Sequence, residues 1–324
     1  MLIALGTIGF VRLVASTIRY WRYRPPACEL SAAGELIDLR ETLGPAWRET
    51  LVGSQGRMRA VALLPGNQQF TLEVSTKTYR LPRLPAHWEG LSIVHLTDFH
   101  FYGGVKRAYF EEVCRQAAAF EADMIVFGGD LLDDERLLDW LPETLGQLKA
   151  PLGQYFVLGN HDWYLDSAAM RHEFARLGWI DLSQRFVVIP PKDGNGESPL
   201  VLCGDESPWM GSHADLTGSP PDAFRILASH TPDNIVWARQ HQIDLMLAGH
   251  THGGQIRLPI LGSVYSPSRF DCRYSSGVFW LDPTLMYVSR GVSGREPIRF
   301  NCPPELTKLV LTSAGTPPDA SQEL

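Results

Sequence analysis

Four short apolar runs each stop abruptly in a polar cluster. LSIVHLTDFH ends at Asp98 and His100, DMIVFGGD at Asp130, YFVLGNHD at Asn160 to Asp162, and IDLMLAGHTH at His250 and His252. Stretches of roughly twenty residues with helical periodicity, such as VKRAYFEEVCRQAAAF at 105–120, separate the first three, which is the spacing of successive βαβ units. An α/β fold follows, and its strand ends line up on one edge. Ligands of open α/β sheets bind at that carboxyl edge, so four polar strand ends read as one site and not as four turns.

A fifth run, FRILASH at 224–230, ends in His230 and passes into TPDNIVWAR, where Thr231 can cap a helix that has Pro232 at its first position. Asp166 is the corresponding cap for SAAMRHEFARL, Gly178 follows that helix, and His172 within it is expected on the surface. The candidate donors are therefore Asp98, His100, Asp130, Asn160, His230, His250 and His252, all oxygen or imidazole. Any one of them alone is more often an ordinary turn or core residue; seven in series at five strand ends are not. Seven donors are too many for one tetrahedral ion, but shared around a bridging carboxylate they suit two divalent ions. The donor types fit manganese, iron or zinc better than calcium, which prefers oxygen cages.

Five motifs occur in order: DFH (98–100), GDLLD (129–133), GNHD (159–162), SHTPD (229–233) and GHTHGGQ (249–255). This series resembles the calcineurin-like metallophosphoesterases across residues 90–310. The extended GHTHGGQIRLP with the later VSRGVSGREPIRFNCPPEL is similar to the membrane-associated bacterial branch, which hydrolyses phosphodiesters or lipid-linked diphosphates. The resemblance implies two central mixed β-sheets flanked by helices, with the metal site at the C-terminal strand ends. It also implies that Asp98, His100, Asp130 and His252 hold one metal and that Asp130, Asn160, His230 and His250 hold the other, with Asp130 bridging. His161 is then the catalytic residue, contacting the phosphoryl oxygen and assisting the leaving group. Asp162 would hold the loop or orient a histidine. Asp133 would stand behind a ligand, or else be a solvated loop carboxylate. Two cations polarise the phosphoryl oxygens and supply hydroxide for in-line attack near neutral pH, so no serine or cysteine nucleophile is required. Gly253 and Gly254 either shape the metal loop or form a plain turn, and Arg290 and Arg295 either meet substrate phosphate or make ion pairs.

The ends of the chain differ from its body. LIALGTIGFVRLVASTI at 2–18 is apolar but carries Arg12, and RYWRYR at 19–24 has the look of a membrane-interface belt. Residues 1–24 are expected to associate with a membrane, spanning it or lying on it; a packed helix and a signal peptide are the alternatives. Because the basic residues follow the apolar stretch, a spanning segment would leave the catalytic domain in the cytoplasm. Residues 25–67 read as a linker or small N-terminal extension, 68–312 as the metallophosphoesterase domain opening with a strand pair at 68–85, and 313–324 as a disordered tail. The net charge of −7 and the absence of a basic run argue against a nucleic-acid partner. Five scattered cysteines without a CxxC suggest neither a disulfide framework nor a thiolate zinc site. The expected function is hydrolysis of a phosphodiester or diphosphate, with a lipid-linked phosphoester as substrate. UDP-2,3-diacylglucosamine diphosphatase is the specific alternative, and a catalytically silent metal-site scaffold ranks lower.

Overall fold

The computed structural model describes residues 28–53, 56–191 and 198–313. The expected membrane segment at 1–24 lies outside the described residues, as does the expected tail apart from Ser313. Among the described residues no helix is long and apolar enough to cross a membrane.

Two mixed sheets form the centre of the molecule. The first has seven strands in the order β1-β2-β15-β3-β4-β5-β6, numbered along the chain: β1 Glu29–Asp38, β2 Thr71–Leu81, β3 Leu91–Leu96, β4 Met124–Phe127, β5 Gln154–Phe156, β6 Ile180–Asp181 and β15 Glu305–Ser313. Strands β3 to β6 run parallel. The second sheet has the order β13-β14-β10-β9-β8-β7, from β7 Phe186–Ile189, β8 Leu200–Asp205, β9 Phe224–Ser229, β10 Leu245–Ala248, β13 Gly277–Leu281 and β14 Thr284–Val288. Here β8, β9, β10 and β14 are parallel. A small hairpin, β11 Arg257–Leu258 and β12 Gly262–Ser263, stands apart from both.

Alternation along each strand builds the layers. Met124 and Val126 of β4 point between the sheets and join one core with Leu202, Ile226, Leu245 and Leu247. Ile125 and Phe127 face the other way, onto Phe110 and Phe174 of the outer helices. In β10 the outward residues Met246 and Ala248 meet Ile235 and Ala238. Strands covered on both faces must be apolar at every position, which is why the motif-bearing runs are continuous and not alternating. The helix Arg107–Ala119 buries Tyr109, Phe110, Val113, Cys114 and Ala117, a single stripe at helical spacing. Each large side chain buried this way contributes about 1.5–3 kcal/mol, so the strand ends are held by a stiff four-layer sandwich.

Local signals fall where the sequence puts them. The Asp166 carboxylate accepts from the Ala169 amide at 2.9 Å, and Thr231 caps the turn begun by Pro232. All five cysteines are free. The beginning of the domain differs from expectation. Residues 68–85 contain one strand and not a pair, β2 at Thr71–Leu81, whose partners are β1 on one side and β15 on the other. Strand β1 comes from within 25–67, and most of its residues are exposed, so it lacks the two-residue period that marks a half-buried strand. The helix-like ELIDLRETL is helical only over Leu39–Leu43, started by Asp38, whose side chain accepts from the Arg40 amide at 2.9 Å.

Candidate metal centre

Five strands deliver their C-terminal ends to one place: β3, β4 and β5 from the first sheet, β9 and β10 from the second. Asp98, His100, Asp130 and His252 converge there, and so do Asp130, His230 and His250, with the candidate ligand atoms of each group within 4.8 Å of one another. Asp130 belongs to both groups. Its Oδ2 lies 3.4 Å from His100 Nε2 and 3.3 Å from His230 Nε2. His252 Nε2 is 3.7 Å from Asp98 Oδ1, and Asn160 Oδ1 is 3.0 Å from His230 Nε2. The structure thus brings together all seven donors expected from the sequence.

The backbone is bent to aim them. Asp98, His100, Asp130, His250 and His252 adopt left-handed φ values of 59°, 50°, 56°, 70° and 51°. Such residues cost on the order of 1–3 kcal/mol each and persist only where the surroundings fix them. Here the Asp98 and His100 amides donate to the carbonyls of Gly129 and Asp130 at 2.9 and 3.0 Å, and the His250 amide donates to the Asp98 carboxylate at 3.1 Å. Glycine is needed ahead of Asn160, because a Cβ on Gly159 would lie 2.2 Å from Asp130 Oδ1. Gly253 likewise is more than a turn residue: at φ 64°, its Cβ would lie 2.6 Å from Cys302 Sγ.

Hydrogen bonds from behind fix the rings. His230 donates through Nδ1 to the Gly128 carbonyl at 2.8 Å, and His252 Nδ1 lies 3.1 Å from the Ser293 carbonyl, leaving Nε2 of each directed inward. Asp133 takes His100 Nδ1 at 2.9 Å on one oxygen and His161 Nδ1 at 2.5 Å on the other. It is a positioning carboxylate and not a solvated one. Asp162 holds the loop: its oxygens accept from the amides of Leu131, Leu132 and Gly159 at 2.9, 3.1 and 2.9 Å. The His161 amide donates to Asp130 at 2.8 Å, while its ring stays partly exposed at the edge of the pocket.

The electrostatics call for a cation. Burial acts to lower the His100 pKa, yet the hydrogen bond to Asp133 and the nearby Asp130 charge push it up to about 9. Burial likewise opposes charge on His230, and Asp130 raises it to about 9. Asp130 itself, despite the burial that would raise it, is held well below the ordinary carboxylate range by His230 and His100. Burial, with the positive His230 beside it, pushes His250 down to about 3. The carboxylates therefore favour positive charge beside them. His100 Nε2 and Asp130 Oδ2 are nevertheless buried without a hydrogen-bond partner. A buried polar atom left unpaired costs about 1–3 kcal/mol, and the oxygen and imidazole set around this pair fits a divalent ion of the first transition row.

Two further residues near the centre are not among the candidates singled out from the sequence. The Trp209 ring lies 4.8 Å from that of His250 and 5.7 Å from that of His230. Arg299 is fully buried and donates to the carbonyls of Arg290 and His252 at 2.8 and 3.1 Å, tying down the GHTH loop. Of the two arginines weighed for substrate phosphate, Arg290 is ion-paired with Glu73 at 2.8 Å and Glu305 at 3.5 Å, which makes it structural. Arg295 is exposed, with its guanidinium 5.3 Å from the centroid of the Tyr102 ring.

Two stacked mixed sheets with acidic, amide and imidazole donors at their shared edge define a phosphoesterase of the calcineurin type. The profile of that family, calcineurin-like phosphoesterase, matches residues 91–254, and the chain belongs to it as a metal-dependent phosphoester hydrolase. Among its relatives, the phosphodiesterase YaeI of Escherichia coli is 30% identical over 225 residues, 68% of this chain and 81% of that protein. The UDP-2,3-diacylglucosamine pyrophosphatase LpxG of Chlamydia muridarum is 26% identical over 291 residues, covering 72% of this chain and 88% of that one. A Bos taurus transmembrane protein with a metallophosphoesterase domain is 30% identical over 311 residues, covering 83% and 67% respectively.

Proposed function

We propose that this chain is a binuclear metallophosphoesterase that hydrolyses a phosphodiester or diphosphate bond of a membrane-associated substrate. Asp98, His100, Asp130 and His252 would hold one ion, and Asp130, Asn160, His230 and His250 the other. The observation that carries this is Asp130, whose unpartnered Oδ2 lies within 3.4 Å of an imidazole from each of the two groups. When bound, divalent ions such as manganese, iron or zinc supply Lewis acidity toward phosphoryl oxygens and a water of lowered pKa.

The protein's own part is to orient and to move a proton. Asp133 occupies His161 Nδ1, so Nε2 is the nitrogen left for the substrate. From that position it can contact a phosphoryl oxygen and protonate the departing oxygen, a role generally worth about 10²–10⁴-fold. Asp133 and Asp162 keep the ligand loops in register, and Trp209 covers the His230 and His250 side. A scaffold without turnover has no need of His161 poised on Asp133, which counts against the silent alternative. The net charge of −7 disfavours a nucleic-acid substrate.

The membrane assignment draws on residues 1–24 and on the transmembrane relative, with the domain on the cytoplasmic side. LpxG makes UDP-2,3-diacylglucosamine the specific alternative to a simpler phosphodiester. Purified protein, stripped of metal and resupplied with manganese, should be assayed against an aryl phosphodiester, an aryl monoester and UDP-2,3-diacylglucosamine. Manganese-dependent cleavage of the diester or the diphosphate is expected. Cleavage of the monoester alone would overturn the substrate class, and no cleavage of any would return the scaffold alternative.

A further inference from the structure

The loop that carries His250 and His252 continues into a hairpin of unusual surface. From Gln255 to Ser268 the chain reads QIRLPILGSVYSPS, with Arg257 its single charge. Its apolar residues point outward: Leu258 is 43% exposed, Ile260 65%, Val264 45% and Tyr265 70%. A turn of this kind in water usually carries glycine, asparagine or aspartate. Here its tip is Ile260, a β-branched residue at a left-handed φ of 68°, a conformation such residues rarely accept. Strain of that sort points to a use for the side chain it displays.

We propose that this hairpin enters the headgroup and upper acyl region of an anionic lipid bilayer, seating the metal centre at the membrane surface. Apolar tips with aromatic and arginine flanks suit the interface between water and lipid. Behind the tip, Arg269 and Arg273 are exposed, and residues 255–276 hold three arginines against the single Asp271 in a protein of net charge −7. That local excess of positive charge complements anionic headgroups. A partner strand is a poorer occupant. Each hairpin strand has two residues, Pro259 interrupts the run, and the Arg257 amide is already spent on the Phe300 carbonyl at 2.9 Å.

The hairpin is coupled to the chemistry. The Ser263 hydroxyl donates to the Gly253 carbonyl at 2.6 Å, one residue beyond His252, so the depth of the tip fixes the height of the centre. The other ligand loop exposes Trp163 and Tyr164, 49% and 75% accessible and directly after Asn160-His161-Asp162, as a second aromatic contact. The inference deepens the membrane-associated reading above and rests on it only for where the substrate lies.

The test uses the full chain, wild type and a Leu258→Ser, Ile260→Ser, Tyr265→Ser variant, with phosphatidylglycerol and phosphatidylcholine vesicles. Hydrogen exchange of residues 256–265 in the wild type should slow with phosphatidylglycerol, less with phosphatidylcholine, and hardly in the variant. Both proteins should cleave a soluble aryl phosphodiester equally, which also reports that the variant folds. Cleavage of a phosphoester carried in the vesicles should fall by roughly tenfold in the variant as surface confinement weakens. Vesicle binding that leaves exchange at 256–265 unchanged would overturn the proposal, as would protection that follows protein concentration without lipid and so marks self-association. If the variant does not fold, wild-type exchange alone decides. Loss of the soluble activity in the wild type would count against the proposed function and not against the hairpin.

Discussion

The two sheets bring different chemistry to the same pocket. The first supplies the carboxylates Asp98, Asp130 and Asp133, together with His100, Asn160 and His161. The second supplies only imidazoles, His230, His250 and His252. In the proposed centre one sheet therefore sets the negative charge and the other completes the donor set, and only the closed sandwich brings the two together. Asp130 is where the two halves meet, within 3.4 Å of a ring from each group. The pKa pattern follows proximity to Asp130 and not the division between sheets: His100 and His230, one from each sheet, are raised to about 9, whereas His250 is pushed down to about 3.

The most severe break in this division should be Asp130→Asn, which removes the shared charge. Metal content measured by elemental analysis should drop, and turnover should disappear with it. If turnover survived with both ions bound, the bridging role would be wrong. His161→Ala should lower turnover by about 10²–10⁴-fold while leaving metal content intact, because in the proposed centre its ring serves the substrate and does not hold an ion. An emptied site in that variant would move His161 into the ligand set. Asp133→Asn leaves the ligands in place but loosens the rings of His100 and His161 together, so metal affinity or activity should fall by about 10–100-fold. A titration showing wild-type affinity alongside wild-type kcat would mean the carboxylate orients nothing. The smallest effect on the centre should come from deleting residues 1–24, since every proposed ligand lies at or beyond Asp98. Turnover of a soluble ester should be unchanged, cleavage of a vesicle-borne ester should fall, and equal loss on both would mark a packed structural helix.

The donors were legible because they sit at the ends of strands covered on both faces, where an apolar run must stop. That stop is visible at Asp98, Asp130, Asn160, His230 and His250 without knowledge of the pairing. For Asp133 and Asp162 the resemblance left two readings each, and contacts across loops decide between them: Asp162 accepts from Leu131 and Leu132, about thirty residues back in the chain, and Asp133 takes the rings of His100 and His161. The beginning of the domain was hidden for a different reason. Alternation at 68–85 marked the strand β2 but not its partners: β1 is mostly exposed and shows no local period, and β15 comes from the far end of the domain. Trp209 and Arg299 belong to the same class: Arg299 lies within VSRGVSGREPIRFNCPPEL, but its burial against the GHTH loop, like the approach of Trp209 to His250, comes from tertiary packing that leaves no repeat to read. The hairpin at 257–263 entered the sequence reading only through the end of GHTHGGQIRLP, because nothing in its local pattern tells that Leu258 and Ile260 face solvent.

In the proposed centre two ions meet at Asp130, and a metal titration tests this most directly. Protein stripped of metal should have no phosphodiesterase activity, and added manganese should restore it with an end point of two equivalents per chain, while the Asp130→Asn variant should show no such end point. Full activity in metal-free protein, or an end point at one equivalent with full activity, would contradict it.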